Sequence, residues 1–193
     1  MSGTPTLSVH TPGNFGQAEH GGLSMKVSIS PANAKRDVLR NMARLKKEMQ
    51  LDYEVSYECT HHGPSLNVPT MFAELGSSPE QWKDLRAAEA VAHAVMEAVL
   101  SFDQSQAKLV IGIGGPHYNS KFTRLALESQ VAFGHIIPKH VVPNVNTEIL
   151  KQCVEKTSGQ VRCAILDWKG IKGECKTPLI RMLDDIGLPF EKT

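Results

Sequence analysis

The amino-acid sequence predicts an α/β fold, a three-layer sandwich in which helices cover both faces of a largely parallel mixed sheet. Segments with strand-like alternation are interleaved with segments whose apolar residues recur at helical spacing, an order typical of parallel sheets joined by helices. Lys108–Ile113 is a mainly apolar run closed by Gly114-Gly115, which indicates a strand buried on both faces. Ser78-Pro79-Glu80-Gln81 combines a capping serine, a proline at the first helical position and a capping-box glutamine, and so predicts a helix start.

The same reasoning assigns the other elements along the chain. Strands are predicted where apolar and polar residues alternate or an apolar run ends at glycine, and helices where apolar residues recur every three or four positions. In order, these are a strand at 25–30, a helix at 31–49, strands at 53–59 and 70–75, a helix from 78 to about 100, a strand at 108–113, a helix at 120–128, a strand at 131–137, a helix at 147–157, a strand at 161–168 and a helix at 177–186. No linker divides the chain, so residues 1–193 are expected to form one domain.

Composition and charge limit the classes of protein that fit. A chain of 193 residues, 41% of them hydrophobic, can bury a sizeable core. Its formal net charge of +1 excludes a strongly basic nucleic-acid coat but permits a local basic patch. The four cysteines form no Cys-x-x-Cys pair and fit free thiols in a reducing compartment. No apolar run approaches the ~20 residues that span a bilayer, and no signal peptide is present. We therefore expect a soluble protein of the cytoplasm, with the nucleus as a second location.

Most of the eight histidines stand beside glycine or in turns that contain proline. Such turns position functional side chains, and histidine is the commonest metal ligand and proton-transfer group near neutral pH. His61 and His62, which precede Gly63-Pro64, are therefore predicted as metal ligands or catalytic residues, with a capping or packing role as the alternative. Neighbours in extended backbone point to opposite faces. One metal would thus take one of the pair unless the Gly63-Pro64 turn bends the chain.

Three other residues are predicted to lie at the same edge of the sheet, because ligands bind beyond the carboxyl ends of strands. His117 follows Gly114-Gly115-Pro116, a turn that can cradle an anion on backbone amides or can be a plain tight turn. His135 lies inside an apolar strand. It could be a site residue, or it could be a core histidine whose ring nitrogens are hydrogen-bonded within the protein. Glu74 is costly to bury unless it is paired or metal-bound, although strand alternation could equally place it in solvent.

A basic turn with an aromatic residue ends the strand predicted at 161–168. Trp168 could stack on a base while Lys169 and Lys172 contact phosphates. This pattern indicates a nucleic-acid contact, and a capped turn with solvated lysines is an equally good interpretation of the spacing.

Taken together, these segments resemble the D-aminoacyl-tRNA deacylase of the archaeal and plant type, a family known in plants as the GEKO ethanol-tolerance protein. The resemblance covers essentially the whole chain. It rests on the motifs His10-Thr11-Pro12-Gly13-Asn14, Thr60-His61-His62-Gly63-Pro64-Ser65, Glu74-Leu75-Gly76-Ser77-Ser78, Gly114-Gly115-Pro116-His117-Tyr118 with Lys121-Phe122-Thr123, Phe133-Gly134-His135-Ile136-Ile137-Pro138-Lys139 and Asp167-Trp168-Lys169-Gly170.

The resemblance implies a zinc-dependent esterase that frees tRNA from D-amino acids and, in plants, from aldehyde-modified D-aminoacyl groups. It also implies a fold similar to those of peptidyl-tRNA hydrolases and nucleoside phosphorylases. The partner that it implies is tRNA, and no association with a membrane is expected. The residues then expected to act in catalysis are His61, His62 and His117, with Gly114 and Gly115 as oxyanion donors. The expected zinc ligands are His61, His62, Glu74, His117 and His135. The residues expected to contact tRNA are Lys121, Lys139, Trp168, Lys169 and Lys172.

Two features differ from the family pattern. Family members carry a further segment before the His10 motif, so this chain is expected to be shortened at its N-terminus. Pro116 stands where the family favours a small residue. Two alternatives therefore stay open: a non-catalytic tRNA-binding remnant, and an enzyme similar to peptidyl-tRNA hydrolases or phosphorylases. The oligomeric state is not predicted.

Overall fold

The computed structural model describes residues 4–101 and 107–193, and its strands and helices alternate as predicted. The strands are β1 Thr6–His10, β2 Gly13–Asn14, β3 Lys26–Val27, β4 Glu54–Tyr57, β5 Phe72–Gly76, β6 Lys108–Ile113, β7 Val131–Ile137, β8 Cys163–Leu166 and β9 Phe190–Lys192. The helices are α1 Ala32–Glu48, α2 Leu85–Leu100, α3 Ser120–Glu128, α4 Thr147–Glu155 and α5 Gly173–Asp185, with 3-10 turns at Gln81–Lys83 and Val142–Asn144. No helix in these two ranges is both long and apolar enough to cross a membrane.

The larger sheet is parallel throughout and has the strand order β7-β6-β8-β9. Successive residues of a strand point to opposite faces, and the two faces have separate cores. Val110 and Ile165 pack with α1, α2 and α3, whereas Ile111 and Leu166 pack with α4 and α5. The predicted α/β class with a largely parallel sheet between helical layers is therefore confirmed.

A smaller mixed sheet has β1 at its centre, parallel to β4 and antiparallel to β5. The sequence predicts one sheet, and this part of the prediction is wrong, because β1, β4 and β5 pair among themselves. The chain beyond β4 then crosses to the larger sheet, where the Thr60 amide donates to the Ile136 carbonyl at 2.9 Å and the Cys59 amide to that of His117 at 2.9 Å. The carboxyl ends of β1, β4 and β6 are thereby brought to one place.

Several boundaries lie one to three residues from those predicted, and larger differences concern α2, α5 and three strands. The helix predicted from residue 78 begins at Leu85, because Asp84 caps it by accepting hydrogen bonds from the amides of Arg86 and Ala87. Helix α5 begins at Gly173, one turn before the predicted start, so Pro178 lies inside it. Strands β1, β2 and β9 were not predicted, and β9 pairs with β8 along the register Ala164 to Phe190.

Candidate metal and catalytic site

Side chains at or beyond the carboxyl ends of three strands form a histidine-rich cluster. His10 ends β1, His61 and His62 lie four to five residues beyond Tyr57 at the end of β4, and His117 lies in the loop after β6. The turn at His61 is tied to β2, since the Gly13 amide donates to the carbonyls of His61 at 3.2 Å and His62 at 2.6 Å. Backbone pairing, rather than the side chains alone, therefore fixes where the imidazoles meet.

His61 and His62 both face this cluster because the turn bends the chain. His62 has a φ of +41°, a left-handed conformation that costs energy in a non-glycine residue and is found preferentially at functional sites. The ring centroids of His10 and His61 are 4.2 Å apart, and those of His10 and His62 are 4.9 Å apart. The next residue, Gly63, has to be a glycine, because a Cβ atom there would lie 2.3 Å from the backbone of Gly21 and Gly22.

The hydrogen bonds of these rings leave one nitrogen of each turned toward the cluster. The Nδ1 atom of His61 donates to the Cys59 carbonyl at 2.8 Å, and that of His62 to the Gly63 carbonyl at 2.5 Å, since a carbonyl can only accept. In the neutral rings the proton therefore lies on Nδ1, and Nε2 presents a lone pair to the cluster. The Nε2 atom of His62 lies 3.1 Å from that of His10, within hydrogen-bond distance.

His10 is fully buried, and its Nδ1 atom has no hydrogen-bond partner among the described residues. The Phe72 ring stacks on it at a centroid distance of 5.1 Å, and the nearest carboxylate oxygen, from Glu74, is 3.9 Å from that nitrogen. A buried polar atom without a partner is costly. The unpartnered nitrogen of His10 in this buried cluster therefore indicates a binding site for a metal ion or another polar ligand.

Glu58 and His117 form the strongest polar pair in the cluster. The His117 Nε2 atom donates to Glu58 Oε2 at 2.7 Å, and the Ser8 hydroxyl donates to Oε1 at 2.5 Å. Burial tends to raise the pKa of Glu58, but the hydrogen bonds from His117 and Ser8 outweigh it, and the pKa lies below its ordinary value. An ionised carboxylate is therefore held behind His117, whose side chain is 39% exposed.

Burial also determines the charge of the histidines. It lowers the pKa of His10 to about 2, with smaller contributions from His61 and His62, and it lowers the pKa of His61 to about 4. Both rings are therefore neutral at neutral pH, the form in which histidine binds a metal. Burial raises the pKa of Glu74, and the nearby charge of Glu58 acts in the same direction.

Three overlapping groups within the described residues could hold a metal ion, since their ligand atoms all lie within 4.8 Å of one another. They are His10 with His61 and His62, Cys59 with His61 and His117, and His10 with Glu58 and Glu74. Four of the predicted ligands, His61, His62, Glu74 and His117, are thus brought together. His135 is not: its Nδ1 atom meets the Thr60 hydroxyl at 3.1 Å and its Nε2 atom the Lys156 carbonyl at 3.3 Å.

Of the two glycines before His117 that were predicted as oxyanion donors, Gly114 does not fit that role. The Gly114 amide donates to the Ile137 carbonyl at 2.8 Å, which continues the ladder between β6 and β7. Gly114 therefore has no free N–H for an oxyanion, and this part of the prediction is corrected. Gly115 lies one residue further on with a φ of +80°.

The predicted tRNA contacts fall into two groups. Lys139, Lys169 and Lys172 are exposed, while the Lys121 ammonium pairs with the Asp167 carboxylate and donates to the Thr193 carbonyl at 3.3 Å. Trp168 is half-buried and has the ammonium groups of Lys192 and Lys176 at 4.1 and 4.6 Å from its ring. A basic aromatic surface therefore exists around Trp168, and Lys121 is largely neutralised within it.

Three residues of the candidate metal-binding groups, His10, Glu58 and Cys59, were not among the predicted site residues. His10 stands two residues before Pro12-Gly13, a turn signal like those beside the other histidines, so the same criterion could have found it. Glu58 directly precedes Cys59 in a strand-like segment, where alternation alone cannot distinguish a buried carboxylate from a solvated one.

Known proteins of one family match this chain over nearly its whole length. A family model described as D-aminoacyl-tRNA deacylase matches residues 1–191. A D-aminoacyl-tRNA deacylase of Thermococcus kodakarensis is 40% identical over 187 residues, which is 96% of this chain and 67% of that protein. One of Pyrococcus abyssi is 38% identical over 189 residues, 97% of this chain and 68% of that protein.

A crystal structure of a conserved protein of unknown function superposes with a TM-score of 0.91 at 28% identity, covering 98% of this chain and 66% of that one. The chain thus spans about two thirds of the length of the proteins it matches.

Proposed function

This chain belongs to the D-aminoacyl-tRNA deacylase family, and we propose that it hydrolyses the ester bond between a D-amino acid and the 3′ end of tRNA in the cytoplasm. The sequence-based predictions of the family, of an enzyme and of tRNA as its partner are confirmed by the family match and by the names of its relatives. The proposed substrates include D-aminoacyl groups modified by aldehydes, as the resemblance implies.

We propose that the enzyme holds zinc through the Nε2 atoms of His10, His61 and His62. The observation that carries this proposal is the donor set itself: the Nδ1 protons of His61 and His62 are fixed on backbone carbonyls, and the remaining lone pairs converge. Carbonyls and carboxylates commonly hold the second nitrogen of a metal-bound histidine in this way, and Glu74, 3.9 Å from His10 Nδ1, is placed to do so. A zinc ion with three protein ligands supplies an activated water and polarises a carbonyl.

The proton transfers are assigned to His117. Its ring centroid lies 4.4 Å from that of His61. Among the described residues it joins a possible metal-binding group with Cys59 and His61 and not with His10 and His62, and its proposed role is beside the ion. Its Nε2 atom donates to Glu58, so Nδ1, which lies 3.2 Å from the Cys59 sulfur, is the nitrogen that would take a proton from the attacking water and return it to the leaving ribose oxygen, as general acid–base residues do. Glu58 holds the ring in place and stabilises its protonated form. Gly115 remains the proposed oxyanion donor of the glycine turn.

The proposal predicts stereospecific, metal-dependent turnover. The protein as purified should release tyrosine from D-Tyr-tRNA much faster than from L-Tyr-tRNA, and treatment with a chelator should abolish the activity because the site binds an ion that the reaction needs. One equivalent of zinc should restore it. Turnover that survives complete metal removal would reject the zinc proposal, and tRNA binding without any turnover would favour a tRNA-binding protein.

The surface around Trp168 predicts a salt-sensitive affinity for tRNA. Each phosphate contact adds roughly 0.7–0.9 to the slope of log affinity against log salt. Replacing the exposed Lys169 and Lys172 by alanine should therefore flatten that slope by roughly 1.4 to 1.8, as measured by filter binding between low and physiological salt. Alanine at Lys83 and Lys151, which are equally exposed, removes the same charge elsewhere and should leave it unchanged. An unaltered slope in the first variant would place the phosphate contacts on other residues.

A further inference from the structure

A cavity of about 310 Å³ opens directly beside the histidine cluster. His61 and His62 form part of its wall, with Phe15, Pro138 and Val141 as its apolar side and Glu19 at its edge. Ligand pockets usually have volumes of about 300 to 1,000 Å³, so this one is at the small end. It suits one amino-acid side chain and its α-carbon better than a nucleotide.

The charge of the cavity points to the kind of group it binds. Of the described residues that line it, none is a lysine or arginine and Glu19 is the one carboxylate, in a protein with 21 lysines and arginines. Phosphate oxygens are bound most strongly by charged donors such as lysine and arginine, whereas the side-chain N–H donors of this wall are the amides of Asn14 and Gln17 and the histidine rings. A cationic group beside an apolar side chain, by contrast, matches both Glu19 and the apolar wall.

The loop that presents Glu19 is tied down at both ends. The Met25 amide donates to the Gly16 carbonyl at 2.9 Å and closes the loop, and the Asn14 side chain donates to the carbonyls of Gly21 at 2.9 Å and Leu23 at 3.3 Å. The same loop packs on Gly63, next to His62. The backbone of this loop is therefore held beside the cluster, and the exposed side chain of Glu19 extends from it at the cavity.

We propose that this cavity binds the aminoacyl group of the substrate, with the apolar wall around the amino-acid side chain and the Glu19 carboxylate paired with the α-ammonium. This inference rests on the proposed deacylase function and assigns it a substrate-binding residue. It places the ester carbonyl at His61 and His62 and leaves the tRNA phosphates outside the cavity, toward the exposed lysines.

The test compares two substrates that differ only at the α-nitrogen, D-Tyr-tRNA and N-acetyl-D-Tyr-tRNA. At pH 6.5 the free α-amine, with a pKa of about 7.7–8.0, is protonated, whereas the acetylated nitrogen carries no charge. Glu19→Gln should raise KM for D-Tyr-tRNA by about fivefold, the upper end for an exposed ion pair, with kcat unchanged. The same variant should leave KM for N-acetyl-D-Tyr-tRNA as it is in the wild type. Glu128→Gln, at an exposed position ending α3, is the matched control and should change neither.

The outcomes separate this inference from the function on which it rests. Equal effects of Glu19→Gln on both substrates, or no effect on either, would overturn the assignment of Glu19 while the wild-type turnover upheld the deacylase function. Failure of the wild-type protein to hydrolyse either substrate would overturn both.

Discussion

Replacement of His61 by alanine should remove the bound metal and lower kcat/KM for D-Tyr-tRNA by at least about 100-fold. His117→Ala should lower kcat/KM by a similar factor but keep the metal. The two variants differ because His61 Nε2 belongs to the proposed ligand set, whereas His117 is held by Glu58 and stands beside it. Loss of a proton-transfer group typically costs a factor of about 10² to 10⁴. The pair therefore distinguishes a metal-binding role from an acid–base role.

Neither change should unfold the protein. The side chains of His61 and His117 are 28% and 39% exposed, so alanine there removes little core packing. His93, whose side chain is 60% exposed on α2, is the control, and His93→Ala should keep both metal and activity. The measurements are elemental analysis, single-turnover deacylation and circular dichroism on the same preparations. A His117→Ala protein without metal would make His117 a ligand, and a lost circular dichroism signal would show a structural role.

The larger sheet could be predicted closely because its sequence signals are local. The bounds of β6, α3 and β7 are those that apolar runs and helical spacing indicate. Strand β1 carries only the short alternation Leu7-Ser8-Val9-His10, yet all five of its residues are buried. Their burial comes from β4 and β5 on either side, which lie far away in sequence. Long-range pairing of this kind decides which strands share a sheet, and no local pattern reports it.

The site shows the same division between local and long-range information. The turns at His61, His62 and His117 are marked by neighbouring glycine and proline, so these residues could be predicted from the sequence. That Gly114 donates its amide to Ile137 follows from the pairing of β6 with β7. That Glu58 turns inward follows from contacts with Ser8 and His117. Both are consequences of which elements become neighbours, so the sequence left the role of Glu58 open and misassigned that of Gly114.

Glu58→Gln should lower kcat by about 100-fold while the protein keeps its metal and its affinity for tRNA. The carboxylate accepts from His117 Nε2 at 2.7 Å and is ionised, because hydrogen bonds hold its pKa below the ordinary value. A neutral amide cannot stabilise the imidazolium that forms when His117 takes a proton, so the loss should appear in kcat rather than in KM. Glu54→Gln is the matched control, since Glu54 is an exposed glutamate on β4, four residues before Glu58.

The same variant gives a second readout in the pH dependence of stability. Since the pKa of Glu58 is lowered in the folded protein, its contribution to the free energy of unfolding is present above the ordinary value of 4.5 and is lost as pH falls through the lowered pKa. Burial lowers the pKa of His61 to about 4, and the charge of Glu58 acts against that shift, so protonation of the unfolded chain below pH ~6.5 weakens the variant at least as much as the wild type. The stability difference between wild type and Glu58→Gln should therefore hold or increase from pH 8 to about 5 and should narrow at lower pH, where Glu58 takes up a proton.

Urea titrations with a chelator present, so that metal binding does not enter, measure this difference directly. Glu54→Gln should follow the wild type at every pH. A difference that does not narrow below pH 4.5, the ordinary pKa of a glutamate, would mean that Glu58 is already protonated in the folded protein. In that case the carboxylate could not serve as the counter-charge of His117, and the proton-transfer role would have to rest on the histidine alone.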